Sequence, residues 1–146
     1  MKLYLMRHGQ AASPEVDPEQ GLTGQGKAEI EQLARRLAKQ GVRFEQVIHS
    51  DKKRARQTAE IMASILASGI SPRVRSGLKP NDDPCLLLPE LESWQQDTLL
   101  TSHLPFVPNL LQALTGEPQG MNFAPGSVIC LGKHNQQWHI EWIASP

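Results

Sequence analysis

Cysteine is almost missing from this chain. Only Cys85 and Cys130 occur, too few for a disulfide framework, and a reducing compartment is the simpler setting for them. Net charge is missing too, since 15 Lys and Arg balance 15 Asp and Glu. That balance argues against general nucleic-acid binding, while leaving room for one locally basic pocket. No stretch approaches the roughly 18 consecutive apolar residues that a membrane span requires. The N-terminus has no basic segment followed by a long apolar core, so no secretory leader is expected. The expectation is a soluble, cytoplasmic protein with neither nucleic acid nor membrane as partner. The histidines form no i, i+4 pair and no HExxH run, and the cysteines are isolated. No metal site is therefore expected, and nothing calls for a cofactor.

What is present is an ordinary globular balance, 39% hydrophobic and 21% charged over 146 residues. A chain of this length fits one domain, residues 1–146, and buries about 68–70% of its unfolded surface without staples. Residues 2–7 form a nearly continuous apolar run, as a strand covered on both faces does. Pro14, Pro18 and Gly21 mark 10–22 as a loop. Thr23 is a fitting N-cap for a helix in which Ile30, Leu33, Ala34 and Leu37 recur at helical spacing, with Gly41 as the stop. Residues 44–50 read as a second strand. Ser50 or Asp51 then caps a helix whose inner face is Ala55, Ala59, Met62 and Leu66.

Residues 73–77 suggest a third short strand, and 76–85 an irregular loop. In 86–96, Pro89 limits any helix to a start near it. Residues 97–103 are another apolar run, ending in His103. Pro105 and Pro108 fit a helix's first turn, which Leu110, Leu111 and Leu114 extend to Gly116. Residues 126–132 and 136–144 read as a terminal β-hairpin around a turn at Lys133-His134-Asn135. Strands alternating with helices predict an α/β fold, a mainly parallel sheet flanked by helices on both faces.

In such sheets, sites form at the carboxyl ends of the strands. This places Arg7-His8, the Ser50 region and Ser102-His103 together. A strand-end guanidinium needs an anionic partner. No acid is close to Arg7 in sequence, with Glu15 and Asp17 the nearest. A bound anion answers that need, because arginine's planar fork suits a phosphate. Gly9 permits a positive φ and close backbone approach. Lys52 and Lys53 read as solvated. Arg54 and Arg56 point about 200° apart on a helix, so only one can face the strand ends. Arg54 lies nearer the helix N-terminus and is the better candidate. His49, His134 and His139 read as structural, and Trp138 and Trp142, at even spacing, as packing on one sheet face.

These segments together resemble the histidine phosphatase superfamily. Its Arg-His-Gly signature stands at 7–9. "LTGQGKAE" (22–29) is similar to its Leu-Thr-x-x-Gly segment, and "SDKKRARQTAE" (50–60) to its Ser-x-x-x-Arg-Ala-x-Gln-Thr-Ala segment. "SHLPFV" (102–107) resembles the stretch carrying its second histidine. The resemblance implies a phosphoglycerate mutase-like fold and a single histidine-phosphatase domain. It makes His8 a nucleophile that forms a covalent phosphohistidine. It assigns the phosphate pocket to Arg7, Arg54 and His103, aided by backbone N–H groups from Leu104 onward. Phosphate, vanadate or sulfate should occupy that pocket.

Small size and "TSHLPFVPNLLQALTG" (101–116) are most similar to the SixA-type phosphohistidine phosphatases. The short path from Arg54 to His103 leaves little chain for a lid. An open site suits a phosphoryl group carried on another protein. The implied partner is a phosphohistidine-bearing protein, such as a phosphotransfer domain of a sensor kinase. Many superfamily members place a glutamate acid after the third strand. Here Lys79 stands near that position, with Asp82 and Asp83 just beyond, either as the acid or as turn formers beside Pro80 and Pro84. A missing acid fits a phosphoramidate, whose imidazole leaves more readily than an alkoxide. The alternative is a small-molecule phosphomonoesterase or mutase-like enzyme. A non-catalytic phospho-recognition module is a third reading, and a retained nucleophile argues against it.

Overall fold

A computed structural model describes residues 1–117 and 122–146. β1 (Lys2–Arg7) is followed by α1 (Gly24–Lys39), β2 (Gln46–His49), α2 (Lys53–Leu66) and β3 (Arg73–Val74). A 3₁₀ turn at Pro84–Leu87 runs into α3 (Leu88–Ser93), then β4 (Thr98–Ser102), α4 (Phe106–Thr115), β5 (Val128–His134) and β6 (Gln137–Ala144). The strands form one six-stranded sheet in the order β3-β2-β4-β1-β5-β6. The first four run parallel, and β5 and β6 are added antiparallel to β1 and to each other.

β1 shows why the sheet is buried on both faces. Alternate side chains leave a strand on opposite sides. Tyr4 and Met6 pack with Ile30, Leu33 and Leu37 of α1 and with Ala59, Met62 and Leu66 of α2. Leu3 and Leu5 pack on the other side with Leu87, Leu91 and the α4 residues Phe106, Leu110 and Leu111. Each fully buried large side chain contributes about 1.5–3 kcal/mol. β4 is buried along its whole length although three of its five residues carry hydroxyls. Those groups are satisfied locally: Thr101 donates to the Ala55 carbonyl at 3.0 Å and Ser102 to the Leu78 carbonyl at 2.6 Å.

Thr23 caps α1, its Oγ1 accepting from Gly26 N at 2.9 Å, as its sequence position predicts. α2 departs from expectation. Its N-cap is Lys52 with no side-chain cap, because the Ser50 side chain turns inward to another task. The terminal hairpin turns later than expected. Lys133 and His134 belong to β5, and Asn135 and Gln136 form the turn with φ of 53° and 66°. Two-residue hairpin loops favour such positive φ pairs because their twist matches the strands. The tryptophans also depart from expectation. A bulge beside Cys130–Leu131 makes Trp142 pair with Cys130 while Ile140 pairs with Leu131. The extra residue breaks the alternation, so Trp138 joins the α4 side and Trp142 the α1–α2 side, near Tyr4.

Candidate active site

β1, β2 and β4 all deliver their carboxyl ends to one edge, and β1 sits where the parallel part of the sheet meets the antiparallel part. Arg7 is opposite Ser102, and the His8 N–H donates to the Ser102 carbonyl at 3.0 Å. The Ser50 N–H donates to the Thr101 carbonyl at 3.2 Å. Two backbone ladders, β1–β4 and β2–β4, thus fix where Arg7, His8, Ser50 and His103 stand before any side chain chooses a rotamer.

The His8 ring is set by its neighbour. Its Nδ1 lies 2.7 Å from the Gly9 carbonyl, so Nδ1 carries the proton and Nε2 is the free base. Arg54 Nε donates to that Nε2 at 3.3 Å. Burial pushes the His8 pKa down to about 4, the Gly9 carbonyl partly opposes this, and the Arg54 and Arg7 charges push the same way as burial. A neutral ring with Nε2 unprotonated beside Arg54 is in the state that nucleophilic attack by an imidazole requires.

Arg54 reaches the site from α2's first turn. Arg56 is exposed and pairs with Glu60 at 3.7 Å. Arg7 donates from Nη1 to the Phe123 carbonyl at 2.7 Å, while its Nε is buried with no partner among the described residues. Asp17, one of the acids nearest Arg7 in sequence, pairs with Lys53 at 3.8 Å instead. Among the described residues, no carboxylate pairs with Arg7 or Arg54. Burial lowers both guanidinium pKa values, but arginine stays charged in proteins. The result is two uncompensated cations beside a neutral imidazole, in a cavity of about 410 Å³ lined by Arg7, His8, Gln10, Ser13, Gln20 and Arg54 among others.

His103 lies against His8, ring centroids 5.3 Å apart, and is 1% exposed. Its pKa is pushed down to about 3, first by burial and then by the charges of His8, Arg54, Lys52 and Arg7. After it, Pro105 has no N–H, and the Val107 N–H is taken by the His103 carbonyl at 2.9 Å. A backbone contribution here therefore rests on Leu104 and Phe106.

Asp82 and Asp83 make local bonds outside this cavity. Asp82 accepts from the Lys79 N–H and Asp83 from the Cys85 N–H, each at 2.9 Å. Lys79 pairs with Asp51 at 3.7 Å. His49 is buried, with Nδ1 2.8 Å from the Ser50 carbonyl.

Several supports were invisible to sequence reasoning. Thr58 Oγ1 accepts from Gly9 N at 3.0 Å and donates to the Arg54 carbonyl at 2.8 Å, tying the His8 loop to α2. Its i+4 spacing from Arg54 was the available signal. Gln57 accepts from Leu22 N at 2.7 Å. The demand on Gly9 is for close packing, since a Cβ there would meet Ile30 Cγ1 at 2.9 Å. At Gly26 a Cβ would fall 2.2 Å from the Gln10 carbonyl oxygen, so α1 touches the loop after His8 by its bare backbone. The Phe123 carbonyl had no sequence signal.

This geometry has known relatives. Residues 3–80 match the profile of the histidine phosphatase superfamily (branch 1), and the chain belongs to that superfamily. Within it the likeness is to SixA-type members. The chain is 34% identical over 119 residues to the phosphohistidine phosphatase SixA of Escherichia coli (strain K12), covering 78% of this chain and 74% of that protein. It is 36% identical over 140 residues to an uncharacterized protein of Picosynechococcus, covering 90% and 84%. A solved structure of the protein histidine phosphatase SixA complexed with tungstate superposes with a TM-score of 0.90 at 29% identity, over 100% of this chain and 97% of that one.

Proposed function

We propose that this protein is a phosphohistidine phosphatase, residues 1–146 acting as one histidine-phosphatase domain on a phosphoryl group carried by another protein. The substrate class is a phosphohistidine protein, such as the phosphotransfer domain of a sensor kinase. One observation carries the reading: the free Nε2 of His8 faces Arg54 in a cavity whose named lining offers cations and amides but no carboxylate.

The chemistry follows from that lining. His8 Nε2 attacks phosphorus in line as the P–N bond to the substrate imidazole breaks. That imidazole, protonated on its other nitrogen, departs as a neutral ring. Water then attacks phospho-His8, the P–Nε2 bond breaks, and inorganic phosphate leaves with His8 neutral again. Arg7, Arg54 and His103 serve the charge spread over the equatorial oxygens, and being fixed beforehand they need no reorganisation. No step needs a carboxylic acid, which an alkoxide leaving group would demand. The similar SixA structure is complexed with tungstate, which supports an oxyanion as a ligand of this chain.

A hydrolysis panel tests the proposal. Phosphohistidine protein should be turned over with a kcat/KM well above those for p-nitrophenyl phosphate and 3-phosphoglycerate. A clear preference for 3-phosphoglycerate would return the chain to the small-molecule branch.

A further inference from the structure

Ser50 is fully buried, and its hydroxyl meets two groups. The Lys52 N–H donates to Oγ at 3.2 Å, and His103 Nε2 lies 2.7 Å away. A hydroxyl has one proton to give and two lone pairs to offer. The Lys52 N–H occupies a lone pair. If Nε2–H also donated to Oγ, the serine proton would be left without a recorded acceptor in a site closed to water. That is costly for a buried donor. If the serine donates to Nε2, every group in the trio is satisfied.

The second nitrogen of His103 extends the argument. Nδ1 is buried and has no hydrogen-bond partner. With Nε2 accepting and the ring neutral, Nδ1 must carry the proton. The ring stands beside His8, in the field of Arg54 and Arg7. A buried N–H with no protein acceptor awaits one from outside, and an anionic oxygen bound at His8 is the acceptor this pocket is built to receive.

We infer that Ser50 is a positioning residue that locks His103 as its Nδ1–H tautomer, so that a buried neutral histidine serves as a donor to the bound phosphoryl oxygen. The Ser50 oxygen accepts from the Lys52 N–H and from no N–H in the first turn of α2, whose N-cap residue, Lys52, has no side-chain cap. The inference rests on the phosphatase reading only for the identity of the oxygen. The tautomer itself belongs to the resting protein.

The test begins without substrate. In ¹⁵N-labelled protein near pH 7, imidazole NMR should show His103 protonated at Nδ1 and unprotonated at Nε2. A resting Nε2–H ring, or an imidazolium, overturns the inference even if the enzyme hydrolyses phosphohistidine. Ser50→Ala should give a tautomer mixture, weaken tungstate binding and lower kcat by about tenfold or more. The ceiling is the about 10²–10³-fold typical of losing such a donor outright. The double variant Ser50→Ala, His103→Ala should be no slower than His103→Ala alone, because the serine acts through the histidine. Additive losses in that cycle would likewise overturn it. Should the tautomer be as stated while the panel shows no phosphatase activity, the function falls and the tautomer stands.

Discussion

Two pairs of histidines sit in this molecule at nearly the same separation. His8 and His103 have ring centroids 5.3 Å apart, and His134 and His139, on the terminal hairpin, 5.9 Å apart. Their surroundings differ in every respect that bears on chemistry. His134 is exposed, and its Nε2 lies 3.4 Å from Glu141, a carboxylate that also pairs with Lys2. Among the described residues no carboxylate pairs with the arginines beside the first pair. His103 is buried and His8 half-buried, and burial and positive charge hold both rings below the ordinary imidazole range. Proximity between two imidazoles therefore says little. What separates a reactive pair from a surface pair is burial beside uncompensated positive charge.

Removing His8 should open the widest gap between the pairs. His8→Ala should lose about 10⁴-fold or more in kcat, the scale seen when a nucleophile is deleted, while circular dichroism stays native. His134→Ala and His139→Ala should stay within about twofold. A quenched wild-type reaction should carry acid-labile, base-stable label on His8. Label on either hairpin histidine would erase the distinction.

The arginines come next. Arg7→Ala and Arg54→Ala should each cost about 10²–10³-fold in kcat/KM, the usual loss for one donor to developing negative charge. Arg56→Ala should leave turnover near wild type, since that side chain pairs with Glu60 on the solvent face. A large effect at Arg56 with none at Arg54 would mean that the wrong face of α2 has been assigned.

A pH series sharpens the contrast in protonation. His8 falls from its ordinary 6.5 to about 4, and His103 to about 3. The acid limb of kcat/KM should thus lie near pH 4, and Arg54→Gln should move it upward. Stability follows the same sign. Between 6.5 and the folded values, the unfolded chain binds protons that the folded chain refuses. This contribution is full above pH 6.5 and is lost as pH falls through 6.5 toward 4 and 3. Denaturant midpoints taken across that window should decline with acid, and a flat profile would contradict the buried neutral pair.

The smallest expected change concerns the loop before α3. Asp82→Asn and Asp83→Asn should each cost less than about tenfold on phosphohistidine, against the 10²–10⁴-fold expected for a true general acid. Their hydrogen bonds are local, and an amide oxygen can replace them. Steady-state kinetics on both substrate classes would show whether either residue matters more for an ester.

Much of this was legible in sequence because it depended on local periodicity. The apolar run of β1, the Thr23 cap and the stop at Gly116 follow from one or two turns of chain, and helix geometry alone separated Arg54 from Arg56. What sequence hid was whatever depends on a distant backbone atom. Arg7 is steered by the Phe123 carbonyl, and His103 by a serine 53 positions away. A carbonyl has no residue type, so its role leaves no letter to read. The β6 bulge hid for a related reason: one unpaired residue put Trp138 and Trp142 on opposite faces, and alternation has no symbol for an insertion.

The strand order also governs how this protein is made. β1 is made before β4 and β5 yet sits between them, with Leu3 paired to Thr98 on one side and to Leu131 on the other. Until those late strands exist, a segment with four consecutive buried apolar residues has two open edges and two bare faces. Exposed unpaired strands of this kind drive association between nascent chains. His8 thus precedes in the chain both strands that flank β1, and a chain arrested before β5 would carry Arg7 and His8 beside an unpaired edge.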